Sequence, residues 1–182
     1  TALNDTRLKA MRFGRYESVD FDGHGGERVQ MFVAYPPGYR RRNSYPAVVL
    51  SHGGPFAAWS EAFSYRWHPG LLAARGYVVA MPNFHGSVGF GQAFADSILG
   101  NHGEKAADWL IANTGVDPER IAVAGGSYGG YLTALLTGKT NRFKAAIVHA
   151  GVYDIGQQFA SDSHWSRPSA YGDAPWTDPV RL

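Results

Sequence analysis

Residues Gly125-Gly126-Ser127-Tyr128-Gly129-Gly130 follow the apolar run Arg120–Ala124 and lead into the apolar stretch Tyr131–Leu136. The order is strand, glycine-pinched turn, helix, with one serine at the apex. It fits the G-x-S-x-G nucleophile elbow, in which a sharp turn holds a serine hydroxyl clear of the sheet. A free serine hydroxyl attacks poorly. It needs a base to take its proton, a third group to orient that base, and two donors aimed at the oxyanion that develops on the attacked carbonyl. The first donor in such sites is the backbone N–H of the residue after the serine, here Tyr128, and the second comes from the loop after the third strand. That loop is Ser51-His52-Gly53-Gly54-Pro55, directly after Ala47–Leu50. Glycines at 53 and 54 let backbone approach a substrate without a Cβ in the way, and glycines at 125 and 129 let strand and helix close up. Either motif alone also occurs in ordinary turns. Both together, in this order and each after its own strand, point to acyl transfer.

Bulk composition narrows the remaining classes. The 182 residues make one domain large enough for a real core, and 45% hydrophobic with 18% charged residues excludes disorder. Seventeen basic against 15 acidic side chains give a formal +2, too even for a nucleic-acid footprint. The run Arg40-Arg41-Arg42 lies between prolines and reads as a solvated turn. There is no cysteine, hence no disulfide, thiolate metal site or cysteine nucleophile. The seven histidines show no metal-ligand spacing, and neither a metal nor a cofactor is implied. No apolar run reaches the ~18 residues of a membrane span, and Arg7, Lys9, Arg12 and Arg15 interrupt any leader-like core. The first residue is Thr1, so the chain reads as processed or excerpted. Cytoplasm and periplasm both fit.

The elements that must position Ser127 follow from periodicity. Residues 1–16 form an approach segment. Glu17–Phe21 and Arg28–Tyr35 alternate around Asp22-Gly23-His24-Gly25-Gly26, which predicts a β-hairpin. From Ala47 onward, continuous apolar runs alternate with helical spacing: strands at Ala47–Leu50, Tyr77–Met81, Arg120–Ala124 and Lys144–Val148, helices at Glu61–Arg75, Gln92–Leu99, Lys105–Asn113 and Tyr128–Thr137. Pro69-Gly70 must kink or restart the first helix, and Gly76 closes it. The pattern predicts an α/β fold: a mostly parallel sheet covered on both faces, preceded by an antiparallel hairpin.

His52-Gly53-Gly54-Pro55, Ala74–Ala80, Pro82-Asn83 with Gly86-Ser87, Gly89-Phe90-Gly91, Val116–Ile121 and Gly126–Tyr131, in that order, resemble the catalytic domain of the prolyl oligopeptidase family of serine peptidases. The acylaminoacyl-peptidase and dipeptidyl-peptidase-like branch fits best, from about Glu17 to Pro179. The resemblance implies an α/β-hydrolase fold over residues 17–182, with Ser127 forming the acyl-enzyme and the amides of Tyr128 and of Gly53 or Gly54 making the oxyanion hole. It also implies that Ala150, Val152 and Tyr153 wall the substrate pocket, and that short peptides are the substrates. Branches of the family place a tyrosine hydroxyl at the oxyanion site; this chain has His52, so backbone amides are expected to serve. His85 stands where the family usually carries arginine.

Three departures accompany the resemblance. The family's upstream β-propeller is not encoded here, the stretch Asn101–Asn113 is short, and the acid and base are expected beyond Leu182, after further strands. Downstream of Ser127 only His149 and His164 offer imidazole, and neither is assigned to the triad. A carboxylesterase on the same scaffold, and an inactive fragment or pseudoenzyme, are the alternatives to a peptidase. A sheet truncated in this way would leave Lys144–Val148 as an apolar edge, so the isolated polypeptide is expected to aggregate and to show no turnover. Oligomeric state does not follow from the sequence.

Overall fold

Alternating residues along Tyr16–Asp22 (β1) and Arg28–Ala34 (β2) close an antiparallel hairpin, with Val19 opposite Met31 and Phe21 opposite Val29. A short 3-10 turn, His24–Gly26, joins the two strands, with Gly25 and Gly26 at positive φ where a side chain would be strained. These features come from a computed structural model of the chain, which describes residues 12–97 and 102–161 together with Asn4 and Thr6. The residues beyond Ser161, including His164 and the tryptophans at 165 and 176, lie outside the described part.

The other strands are Tyr45–Ser51 (β3), Val78–Pro82 (β4), Val116–Gly126 (β5) and Ala145–His149 (β6). They form one six-stranded sheet in the order β1-β2-β4-β3-β5-β6. The pairs β3–β4, β3–β5 and β5–β6 are parallel, while β2 pairs antiparallel with β4 and attaches the hairpin. The predicted α/β architecture with a leading hairpin is the one observed.

Parity along the strands sorts the core into two layers. Ala47, Val49, Val78, Ala80, Ile121 and Val123 pack on one face with Ala106, Ala107, Leu110 and Leu136. Val48, Leu50, Val79, Met81 and Ala124 pack on the other with Ala73. The covering helices are Pro69–Ala74 (α1), Gln92–Asp96 (α2), His102–Asn113 (α3), Tyr128–Lys139 (α4) and Ile155–Phe159 (α5). Strands buried on both sides carry no polar alternation, which is why they appear in the sequence as unbroken apolar runs.

Most boundaries shift by one to three residues, the helix expected over Gln92–Leu99 ending at Asp96, and two differ further. The helix expected over Glu61–Arg75 begins only at Pro69, because proline has no N–H to give and forces the residue before it into extended geometry. His68 adopts that geometry (φ −83, ψ 108) and caps the helix by accepting from the Gly70 amide. Residues 52–68 are irregular. The strand expected at Arg120–Ala124 begins earlier, at Val116, which pairs with Tyr45 across a register shift. Asp117-Pro118-Glu119 keeps its turn chemistry, the Glu119 amide donating to Asp117 Oδ1 at 3.0 Å, and lies in the shift between the Tyr45–Val116 and Ala47–Ile121 pairs.

Candidate active site

Ser127 connects β5 to α4 with φ 58 and ψ −123, one of two non-glycine residues at positive φ among those described. Such a setting costs about 1–3 kcal/mol for a residue with a side chain and persists only where its surroundings impose it. Those surroundings are tight. A Cβ on Gly125 would overlap the Gly129 carbonyl, and one on Gly129 would overlap the carbonyls of Ser51 and His52. Strand and helix therefore meet at backbone distance. The Ser127 amide donates to the His149 carbonyl at 3.0 Å, and the Ser127 carbonyl accepts from the Tyr131 amide at 3.1 Å.

The end of β3 approaches the serine from the neighbouring strand. A Cβ on Gly53 would stand 3.5 Å from Ser127 Cβ and 4.0 Å from its Oγ, so the Gly53 backbone lies against the nucleophile. Gly54, at φ +126, turns away: a Cβ there would crowd the amides of Phe56 and Ala57. Tyr128, the first residue of α4, is buried near Phe84 and Tyr131.

His52 holds this loop with its side chain. Its ring stacks on Phe84 at 4.0 Å between centroids. Nδ1 lies 2.7 Å from the Gly53 carbonyl and Nε2 lies 2.8 Å from Ser87 Oγ. Burial opposes the charged ring and lowers its pKa from 6.5 to about 4, against a smaller upward pull from the Gly53 carbonyl. A neutral ring has one N–H, and a carbonyl oxygen only accepts. Nδ1 therefore donates to Gly53, and Nε2 accepts from the Ser87 hydroxyl. His85, two residues before Ser87, is also buried; its Nε2 meets Glu27 at 2.7 Å and its Nδ1 meets Ser97 Oγ at 2.7 Å.

A cavity of about 260 Å³ opens beside Ser127, lined in part by Trp59, Arg66, Trp67, His149 and Ala150. Ala150, itself at φ 44, is on its wall. Val152 and Tyr153 are not among the lining residues; the Tyr153 hydroxyl end folds toward Gly151 instead. His149 is on the wall with its ring edge toward Trp67, but no hydrogen bond joins it or any other described histidine to Ser127 Oγ. Asn83, fully buried, fixes the irregular segment. Its Oδ1 accepts from the Trp59 amide at 2.6 Å, and its Nδ2 donates to Gln30 Oε1 at 2.7 Å and to the Trp59 carbonyl at 3.2 Å. The Trp59 indole N–H donates in turn to the Leu50 carbonyl at 3.1 Å. The sequence marked Asn83 and Ser87 only as parts of a resemblance. Arg66 and Trp67 were hidden within the helix expected over Glu61–Arg75, with Trp59 just ahead of it, and paired tryptophans in a proline-stopped segment were the available signal. Among the described residues, no cluster of three or more His, Cys, Asp or Glu could hold a metal, and no helix is long and apolar enough to cross a membrane.

A sheet in which an interior parallel strand turns through a strained serine into a helix, with glycine backbone facing that serine from the next strand, is the α/β-hydrolase arrangement. The chain belongs to the prolyl oligopeptidase family, matching it over residues 63–180. It is 32% identical over 185 residues to dipeptidyl-peptidase 5 of Porphyromonas endodontalis, covering 97% of this chain and 27% of that one. The acylaminoacyl peptidase of Pyrococcus horikoshii superposes with a TM-score of 0.83 at 26% identity, covering 98% of this chain and 30% of that one. A puromycin-hydrolyzing peptidase of Mycobacterium tuberculosis superposes with a TM-score of 0.79 at 28% identity, covering 92% of this chain and 27% of that one. The chain thus spans roughly a quarter of the length of the curated relatives it matches.

Proposed function

We propose that the complete protein is a serine peptidase acting on short peptides through an acyl-enzyme on Ser127. The observation that carries this reading is the imposed backbone of Ser127, with Gly53 packed against it. In the proposed reaction Ser127 Oγ attacks the scissile carbonyl carbon and its proton passes to a histidine outside the described residues. The resulting oxyanion is held by the amide of Tyr128 and an amide of Gly53-Gly54, which meet it where charge appears only in the transition state. Collapse breaks the C–N bond, the histidine protonates the departing amine, and water then releases the acyl group by the same steps in reverse roles. Relatives named as peptidases, across both the sequence and the structural comparisons, favour peptides over esters as substrates.

The test is labelling by a fluorophosphonate, which phosphonylates activated serines. The protein expressed from its full coding frame should react stoichiometrically at Ser127, and Ser127→Ala should abolish both labelling and peptide hydrolysis. Residual hydrolysis in that variant would overturn the assignment. The 182-residue chain by itself should turn over nothing, since no described histidine reaches Ser127 Oγ.

A further inference from the structure

The cavity beside Ser127 is walled mainly by apolar and neutral groups: Trp59, Trp67, Ala58, Ala150 and glycine backbone. No Asp, Glu or Lys is among its lining residues, and His52 is held neutral by burial. Arg66 is the single fixed charge on that wall among the described residues. Its side chain is exposed, and among the described residues no carboxylate, carbonyl or aromatic ring engages its guanidinium, so its donors are open to a ligand in the cavity.

The backbone that carries Arg66 is held in place. The Trp67 amide donates to Ser64 Oγ at 3.3 Å, closing the turn that carries Arg66. The Trp67 indole is packed beside the elbow, where a Cβ on Gly126 would stand 3.0 Å from its ring. On the other side Trp59 is pinned through Asn83 and the Leu50 carbonyl. The arginine therefore extends from a segment anchored at both ends and lines the same cavity as the nucleophile. A guanidinium offers a planar fork of donors that fits a carboxylate in bidentate fashion. Indole walls displace water around such a pair and strengthen it.

We propose that Arg66 binds a carboxylate of the peptide whose carbonyl is attacked by Ser127, making it a specificity residue for anionic substrates. This rests on the peptidase reading above and names the substrate class for the same site. The carboxylate has two sources: an Asp or Glu side chain close to the scissile bond, or the free α-carboxylate of a short leaving fragment.

The experiment uses the full-coding-frame protein and three matched short peptides: a neutral C-terminal amide, the same peptide with a free C-terminal carboxylate, and the amide with one Gln replaced by Glu. One anionic peptide should exceed the neutral amide in kcat/KM by about tenfold, the scale of one charge-assisted contact, and which one it is identifies the source. Arg66→Met should erase that preference while leaving the neutral amide within about twofold; Arg66→Lys should restore part of it. Fluorophosphonate labelling of Ser127 at an unchanged rate in Arg66→Met shows that the elbow is intact. Equal rates on all three peptides in the wild type, or equal losses on all three in Arg66→Met, would overturn the role of Arg66 alone. Failure of Ser127 to label, or hydrolysis surviving Ser127→Ala, would remove the peptidase reading and the Arg66 proposal with it.

Discussion

His52 is the residue at which burial becomes a pH dependence. Its folded pKa of about 4 lies below the ordinary 6.5, so the unfolded chain binds the proton first as pH falls. Stability is complete above pH 6.5 and drains away as acid approaches the folded value, by about 3 kcal/mol in full. Denaturant midpoints measured from pH 7 down to 4.5 should therefore fall steeply in the wild type. They should fall less in His52→Gln, which has no group to titrate there. An equal slope in both would place the acid sensitivity elsewhere. At this scale Ser127 and its glycines were legible in the sequence, because the steric demand of a sharp turn is settled within six adjacent residues. His52, Asn83 and Arg66 were not. Their roles depend on Ser87, Trp59 and a cavity wall assembled from residues far apart in the chain.

Among the elements, the irregular segment 52–68 matters most, since it carries one side of the cavity and has no ladder of its own. Asn83 substitutes for that ladder by satisfying both backbone groups of Trp59 while reaching Gln30 on β2. Asn83→Leu should leave those groups unpaired in a buried place and cost about 2–4 kcal/mol. The denaturant midpoint would drop, and fluorophosphonate labelling of Ser127 would slow as Gly53 loses its support. An unchanged midpoint would show that water replaces the side chain. The strands were legible because apolar runs bounded by Gly and Pro admit few other readings. Residues 61–68 were not, since Phe63 and Trp67 sit at helical spacing while Pro69 downstream dictates where the helix can begin. The full length of β5 was equally hidden, since its start is fixed by the pairing of Val116 with the distant Tyr45.

For the molecule as a whole the exposed side is β6. It pairs only with β5 among the described strands, all five of its residues are exposed, and Ile147 is 58% accessible. An apolar strand with one open row of backbone donors and acceptors pairs readily with another chain. The 182-residue polypeptide expressed alone should accordingly self-associate in light scattering at micromolar concentration, and Ile147→Lys should shift it toward monomer. A monodisperse wild type would contradict this.

The same strand touches the nucleophile. Because the Ser127 amide is tied to the His149 carbonyl at the end of β6, its hydrogen can exchange with solvent only when that strand lets go. That one proton keeps time for the edge, and the seat of the nucleophile is only as durable as the rim of the sheet. Warming that loosens β6 would relax the pinched serine while the hairpin and central strands still stand, so heat would silence this site before it melts the fold.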